Sequence, residues 1–411
     1  MIHPLGRALR HHRRLRTGIV QLIYVVAAVA LGLVVPQIPV GFTVSSSRVI
    51  DALITVAVGI VTFMGIVYSL LFLVVQFGST AFTPRINLFR DAPIVWHAFG
   101  FYTGVLVFSF TAAFAIGNSD RASALVPITL VLSLVVAVTL FRALQTQAFQ
   151  SLQLASVLAQ ITKRGREVID GIYPLGTGEP NSNAGGNGAV GVASGGQGSG
   201  GHEVVWPGES LVLQVVDVPR LVRTAEEAGA MIELSAVPGA TIPEGGVVAV
   251  VHGVLDSRLD VEILKALKLG AERTFEQDPR FALRLLSDIA LRALSPATND
   301  PATAVQSIDS MDSLLRALAV RDLDIGDVPD AQGATRVLLP LPRWEEYVGL
   351  ALDEVIGAGL ASIQVRARLD RLLQELMAIA PPQRRDALQR RLHAVRRENC
   401  SSPVLRSTEA R

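Results

Sequence analysis

"PIVWHAFGFYTGVLVFSFTAAFAI", residues 93–116, runs for 24 residues without an aspartate, glutamate, lysine or arginine. As a helix rising ~1.5 Å per residue it is long enough to cross the ~30 Å hydrocarbon core of a bilayer. Three more apolar segments of similar kind cover 19–35, 52–75 and 122–141, the first being the shortest. Together they predict a four-helix transmembrane domain over 19–141. The whole chain agrees. Its 411 residues are 50% hydrophobic and only 18% charged, with a mean hydropathy of +0.42, too apolar for an ordinary soluble protein.

A cleaved signal peptide is the rival reading of the first segment. Val34-Val35-Pro36 offers no small-residue cleavage site and three spans follow, so the segment is read as an anchor. Arginine sets the orientation. Arg7, Arg10, Arg13, Arg14 and Arg16 precede the first span; Arg48 alone follows it; Arg85 and Arg90 follow the second; Arg121 alone follows the third; Arg142, Lys163, Arg164 and Arg166 follow the fourth. The alternation predicts that both termini are cytoplasmic, with external loops at 36–51 and 117–121. The expected partner of this half is the lipid bilayer. A net charge of +1 gives no reason to expect nucleic acid, and the single cysteine, Cys400, excludes a disulfide framework or a thiolate metal cluster.

Within the second span Thr55, Thr62, Ser69 and Gln76 recur every seven residues, with Gly59 close by, and so form a slowly drifting polar stripe. One reading is a water-lined path. The other, favoured because no ionisable residue lies deep in any span, is close packing of membrane helices through small and hydroxyl side chains. His97 beside Trp96 belongs to the membrane interface.

Beyond Phe141, Leu144, Ala148, Leu152, Ala155, Leu158 and Ile161 keep a three-to-four spacing, which predicts an amphipathic helix over 142–173 continuing the fourth span. Residues 174–201 form a Gly-rich linker, whose chance G-x-G-x-x-G has no strand before it and no helix after it. From 202 to 254 the period becomes that of strands, at 211–216, 231–236 and 247–251, with a short helix at 219–228. The order of elements is similar to a barrel-sandwich module of the lipoyl type, but the stretch has no lysine to carry a prosthetic group, and no cofactor is expected. Residues 255–400 are predicted as a helical domain with helices at 257–268, 279–294, 301–320, 344–358, 360–379 and 382–398, and a loop at 322–342. Residues 1–18 make a basic arm and 401–411 a tail. The predicted fold class is a membrane α-helical protein of four transmembrane helices, joined to a cytoplasmic α+β region with a small β-rich module and a helical C-terminal domain.

"RALSPATNDPATAV", residues 292–305, is the most distinctive polar stretch. Pro296 ends one helix near Ser295; Asp300 can cap the next, and Pro301 suits its first position. Asp278-Pro279 repeats the cap-and-proline pattern one helix earlier. Arg280, Arg284, Asp288 and Arg292 follow at four-residue intervals on one side of the intervening helix. Arg273, Asp278, Asp288, Arg292, Asn299 and Asp300 are therefore the candidate polar network. It is either an internal ion-pair and capping network or a site in which Arg273, Arg292 and the N–H groups after Asp300 hold an anionic ligand or lipid headgroup.

These residues carry a resemblance. Glu272-Arg273-Thr274, Gln277-Asp278, the run from Asp288 through Ala293-Leu294-Ser295-Pro296, Asn299-Asp300-Pro301 and Thr303-Ala304 resemble the signature of a large family of bacterial predicted membrane proteins of unknown function. Thr83-Pro84-Arg85 after the second span is similar to that family's Ser-Pro-Arg. The resemblance implies the architecture above and a bacterial inner-membrane location, and it supplies no reaction.

No P-loop, G-x-S-x-G or H-E-x-x-H is present, and the histidines show no clear metal-ligand spacing apart from the adjacent His11-His12, read as part of the basic charge anchor, so neither a catalytic residue nor a metal site is identified. Three functional classes remain open: a homo-oligomeric channel-like or membrane-sensing protein with a regulatory module, a non-conducting scaffold that binds a protein partner, and a membrane enzyme using the cluster near residue 300. The first is the leading expectation. A pore requires the stripe at 55–76 to face a shared axis, whereas a scaffold requires it to face neighbouring helices.

Overall fold

The computed structural model describes residues 13–38, 43–81, 93–117, 119–176, 201–253 and 257–397. Most of the basic arm, the Thr83-Pro84-Arg85 motif, nearly all of the Gly-rich linker, Cys400 and the tail lie outside them. The chain divides into two compact units, Met1–Ser156 and Val157–Arg411.

The first unit holds α1 (Arg13–Val34), α2 (Ser46–Ala81), α3 (Pro93–Ile116) and α4 (Leu125–Leu152). Each contains a stretch long and apolar enough to cross a membrane. The helices α2 and α4 overrun the predicted spans, because polar side chains at their ends interrupt the apolar run but not the helical hydrogen bonding. At the centre is α3, which packs on α1, α2 and α4. Apolar surface gains nothing from leaving lipid for a protein contact, so close van der Waals approach must hold such helices together. Glycine supplies it here: a methyl group on Gly100 would stand 2.5 Å from the Tyr24 ring, and one on Gly32 2.7 Å from the Thr111 side chain. Tyr102 is fully buried, and its hydroxyl donates to the Ala137 carbonyl of α4 at 3.0 Å.

Two short strands, β1 (Thr43–Ser45) and β2 (Arg121–Ser123), pair antiparallel with Val44 opposite Ala122. The loops predicted to be external are therefore joined at one end of the bundle.

The second unit begins within α5 (Leu154–Ile172), which Gln153 separates from α4, so the predicted continuous helix is two. It buries Val157, Leu158, Ile161, Gly165, Val168 and Ile169, the expected three-to-four spacing of an amphipathic face. The sheets follow: β3 (His202–Val205), β4 (Leu211–Val216), β5 (Met231–Leu234), β6 (Thr241–Ile242), β7 (Val247–His252), β8 (Leu267–Gly270), β9 (Asp327–Pro329) and β10 (Thr335–Leu338). One sheet has the order β3-β7-β5-β10-β9, the other β6-β4-β8. Within the first, β10 runs parallel to β5, with Val337 opposite Ile232.

Two predictions are corrected here. The helix α7 (Ser257–Ala266) stops before Leu267 and Lys268, which enter β8 and pair with β4. The predicted loop at 322–342 contains β9 and β10. The β-rich module thus draws three strands from beyond residue 254, and 255–400 is not purely helical. The helices α6 (Val218–Glu227) and α7 bury Leu221, Ala225, Leu259 and Ile263 in the same core as Ile232, Ala249 and Val337.

The remaining layer is α8 (Pro279–Leu294), α9 (Pro301–Ala319), α10 (Trp344–Gly359), α11 (Ile363–Ile379) and α12 (Pro382–Arg397). In it α8 packs on α9 and α10, and α11 packs on α9 and α12. Gly165 of α5 sits against Ala282 and Leu314, where an added methyl group would lie 2.5 Å from the Ala282 methyl. Arg384 of α12 closes the end of α9 by donating to the carbonyls of Leu318, Ala319 and Arg321.

Candidate functional site

The site begins where the chain enters α8. Asp278 stands at the N-cap position, and the sequence pattern predicts that its side chain caps the helix. It makes no such bond. Instead Oδ2 accepts from Arg273, 2.8 Å from Nε and 2.6 Å from a terminal nitrogen. The residue is 1% exposed. Oδ1 has no hydrogen-bond partner among the described residues, and Arg280 Nε lies 4.0 Å from it.

One turn lies against this carboxyl, and two tyrosines lie within electrostatic range of it. The turn between β5 and β6 brings Gly239, with φ +92°, so close that a methyl group would stand 2.1 Å from Oδ2 and 2.9 Å from Arg273. The turn's Pro238 carbonyl accepts a long 3.5 Å bond from Arg280. From the end of α5 comes Tyr173 and from α10 comes Tyr347, both fully buried, with hydroxyls 2.8 Å apart. Phe281 lies under Arg273 at 5.4 Å and packs on Phe275, over which Arg164 stands at 5.7 Å.

Burial dominates the electrostatics. Loss of water raises the Asp278 carboxyl above the usual aspartate range, against the opposing pull of Arg273 and, more weakly, Arg280. Burial likewise pushes up both tyrosines, Tyr347 further, so the hydroxyl pair is neutral. The arrangement is a buried acid with one satisfied and one unsatisfied oxygen, beside two neutral hydroxyls. Among the described residues no group of three or more His, Cys, Asp or Glu could hold a metal.

The other predicted site residues lie elsewhere. Asp288 pairs with Arg284 at 2.9 Å, and Arg284 reaches Glu354 of α10. Arg292 is exposed on the last turn of α8. Asp300 caps α9 in the manner expected, accepting from Thr303 N at 3.1 Å and from the Thr303 hydroxyl at 2.6 Å. Those bonds hold its carboxyl below the usual range. Asn299 takes φ +44°, a left-handed conformation that asparagine tolerates, and Asp300 N returns to the Ala293 carbonyl at 2.8 Å.

The six candidates therefore do not form one site. Fourteen positions of helix at ~1.5 Å each put roughly 21 Å between the backbones of Asp278 and Arg292. Arg273 and Arg292 sit at opposite ends of α8, and the anion site suggested for them with the start of α9 is not assembled. Side-chain spacing at four-residue intervals aligns residues on a face without bringing its two ends together. No pattern in the sequence points to Tyr173 or Tyr347, whereas Pro238-Gly239 is a local turn signal for Gly239.

In the membrane unit the stripe faces outward from the helices of its own unit. Thr55, Gly59, Thr62, Ser69 and Gln76 are exposed, and a methyl group on Gly59 would meet nothing within 4 Å. The hydroxyls of Thr55, Thr62 and Ser69 donate to the carbonyls of Asp51, Val58 and Gly65 on their own helix, at 2.7, 3.2 and 3.0 Å. A shallow cleft of about 620 Å³ between α6 and α7 is lined by Thr224, Glu227, Arg258, Val261, Glu262 and Lys265, with Glu262 already paired to Arg220 and Lys265.

Comparison with known proteins places these features in context. Uncharacterized proteins of Mycobacterium bovis and Mycobacterium tuberculosis are each 28% identical over 365 residues, 84% of this chain and 66% of theirs. The chain thus spans just under two thirds of the length of these relatives. No solved structure matches it. A family model described as "Predicted membrane protein (DUF2254)" matches residues 15–375, from α1 into α11. With four apolar helices and both polar centres inside that match, the chain belongs to this family of predicted membrane proteins.

Proposed function

We propose that the protein is a homo-oligomeric, channel-like or membrane-sensing protein of the bacterial inner membrane. In this reading α2 faces an axis shared between copies, both termini are cytoplasmic, and the second unit is a regulatory module whose two sheets form a barrel-sandwich-like core. The observation that carries the proposal is the outward stripe on α2. Polar and small residues facing lipid gain nothing there, and membrane helices use such faces to meet other helices or water. Their hydroxyls are bonded to their own backbone, so the face tolerates either an apolar neighbour or a narrow wet path.

Single cysteines at Thr55, Thr62 or Ser69, in a Cys400→Ser background, test it. Oxidation in native membranes is expected to give cross-linked dimers, while a cysteine at Leu132, on the exposed side of α4, gives none. Monomers in mild detergent together with no cross-link at any of the three positions would sink the oligomer. Ion flux in proteoliposomes that is blocked by Thr62→Trp separates a conducting oligomer from a sensing one.

A further inference from the structure

We propose that Asp278 is a proton-governed latch: ionisation of its carboxyl opens the Pro238–Gly239 turn from the start of α8, and protonation closes it. This does not depend on the oligomer reading. The geometry divides the carboxyl into two unlike halves. Oδ2 is held by Arg273 and roofed by the Gly239 backbone. Oδ1 is buried with no hydrogen-bond partner among the described residues, so the ionised form carries charge on an oxygen offset by the long 4.0 Å approach of Arg280 and out of reach of bulk water.

The groups facing it can be named element by element. The segment before α8 supplies Arg273, and α8 supplies Arg280 and, most weakly, the Phe281 backbone N–H; all three favour the carboxylate. Tyr173 comes from α5 and Tyr347 from α10, with Glu346 acting at longer range on Tyr173. The turn supplies the Pro238 carbonyl and no ionisable group. Protonation from solvent places the hydrogen on Oδ1, which leaves a neutral hydroxyl there, and a buried neutral polar group costs less than a buried charge. Arg273 keeps its charge and its bonds to Oδ2, and the closed centre then holds no unsatisfied anion. Removal of the proton restores the charge. Water can reach Oδ1 only if something lifts, and the turn lies directly over the carboxyl; backbone bonds of 2.8 and 2.9 Å between Gly239, Ala240 and Leu213 hold it to β4, whereas its link to α8 is the 3.5 Å bond from Arg280.

The sign follows from linkage. A carboxyl whose proton affinity is higher in the closed form than in water favours closure at low pH, and loses that preference as pH rises through the closed-form titration. One proton per opening gives a slope of at most about tenfold per pH unit.

Hydrogen exchange of the full chain in detergent, corrected for the intrinsic pH dependence of exchange, reads the turn directly through the Gly239 and Ala240 amides, which donate to Leu213 and Val237. Protection is expected to fall as pH rises from the acidic side of the titration towards neutrality, and Asp278→Asn is expected to stay protected throughout. Arg280→Gln, which removes a group favouring the carboxylate, is expected to move the midpoint to higher pH and serves where Asp278→Asn does not fold. Flat protection in the wild-type turn, an unchanged slope in Asp278→Asn, or an unmoved midpoint in Arg280→Gln each overturns the latch.

Discussion

The Gly239 backbone rests directly on the Asp278 carboxylate, leaving no room for a side chain: a methyl group would stand 2.1 Å from Oδ2. At φ +92° an alanine would be strained even in open space. Gly239→Ala is therefore expected to cost about 2–4 kcal/mol, from overpacking and a left-handed backbone together. Thermal unfolding of the purified full chain measures it. A change within ~0.5 kcal/mol of wild type, the usual range for harmless surface substitutions, would refute the close approach.

Tyr173 and Tyr347 share one buried hydrogen bond at 2.8 Å. Replacing either with phenylalanine leaves the other hydroxyl unpaired in an apolar setting, at about 1–3 kcal/mol. The double variant removes both groups and is expected to cost less than the sum of the singles, with a coupling of at least ~0.5 kcal/mol. Strict additivity in the double-mutant cycle would show that the two hydroxyls do not interact.

Asp300→Ala removes the α9 cap and is expected to destabilise by ~1 kcal/mol, whereas Asp300→Asn, which keeps an acceptor without the charge, is expected to lose a smaller part of it. The Thr303 bonds depress the carboxyl's folded-state pKa. Its contribution is therefore complete above the unfolded aspartate pKa and disappears as pH falls through the folded one. Chemical denaturation at neutral and strongly acidic pH should show the Asp300→Ala deficit shrinking on acidification; a deficit that is constant with pH contradicts the charged cap.

Gly100 sets how closely α1 approaches α3. Gly100→Leu is expected to push Tyr24 away and lower the melting temperature in detergent, and adding Tyr24→Ala should recover part of the loss by making room. No effect of the first substitution, or no recovery by the second, would count against the contact.

The proposed topology, with both termini cytoplasmic, makes a labelling prediction. In a Cys400→Ser background, cysteines at Ser45 and Ser119 should react with an impermeant reagent in intact cells, and one at Arg385 should react only after lysis. Labelling of position 385 from outside reverses the orientation.

The legible parts of the sequence were those whose signals are local. The bounds of α3, and of α8 between Asp278-Pro279 and Ser295-Pro296, were readable because apolar composition and proline act within a few residues. The capping role of Asp300 was readable for the same reason. The strands β8 and β10 were not, since their four-residue runs take their meaning from β4 and β5, far back in the chain. The same limit hid the acid centre. Arg273 and Asp278 are five residues apart and both were singled out, but Tyr173 and Tyr347 are separated by 174 positions and meet only through tertiary packing. The prolines announced that Asp278 begins a helix; nothing local announced that its side chain turns inward to an arginine instead of capping.

The central place of α3 bears on how the membrane unit is made. During synthesis α1 and α2 emerge first, yet the principal packing partner of each is α3, the third span to appear. Each of the first two helices satisfies its own backbone hydrogen bonds and persists in lipid alone, but Gly32 of α1 and the inner face of α2 wait without a mate until the third span inserts. The nascent bundle is thus closed by a late keystone, because the chief partner of both earlier helices is the third span.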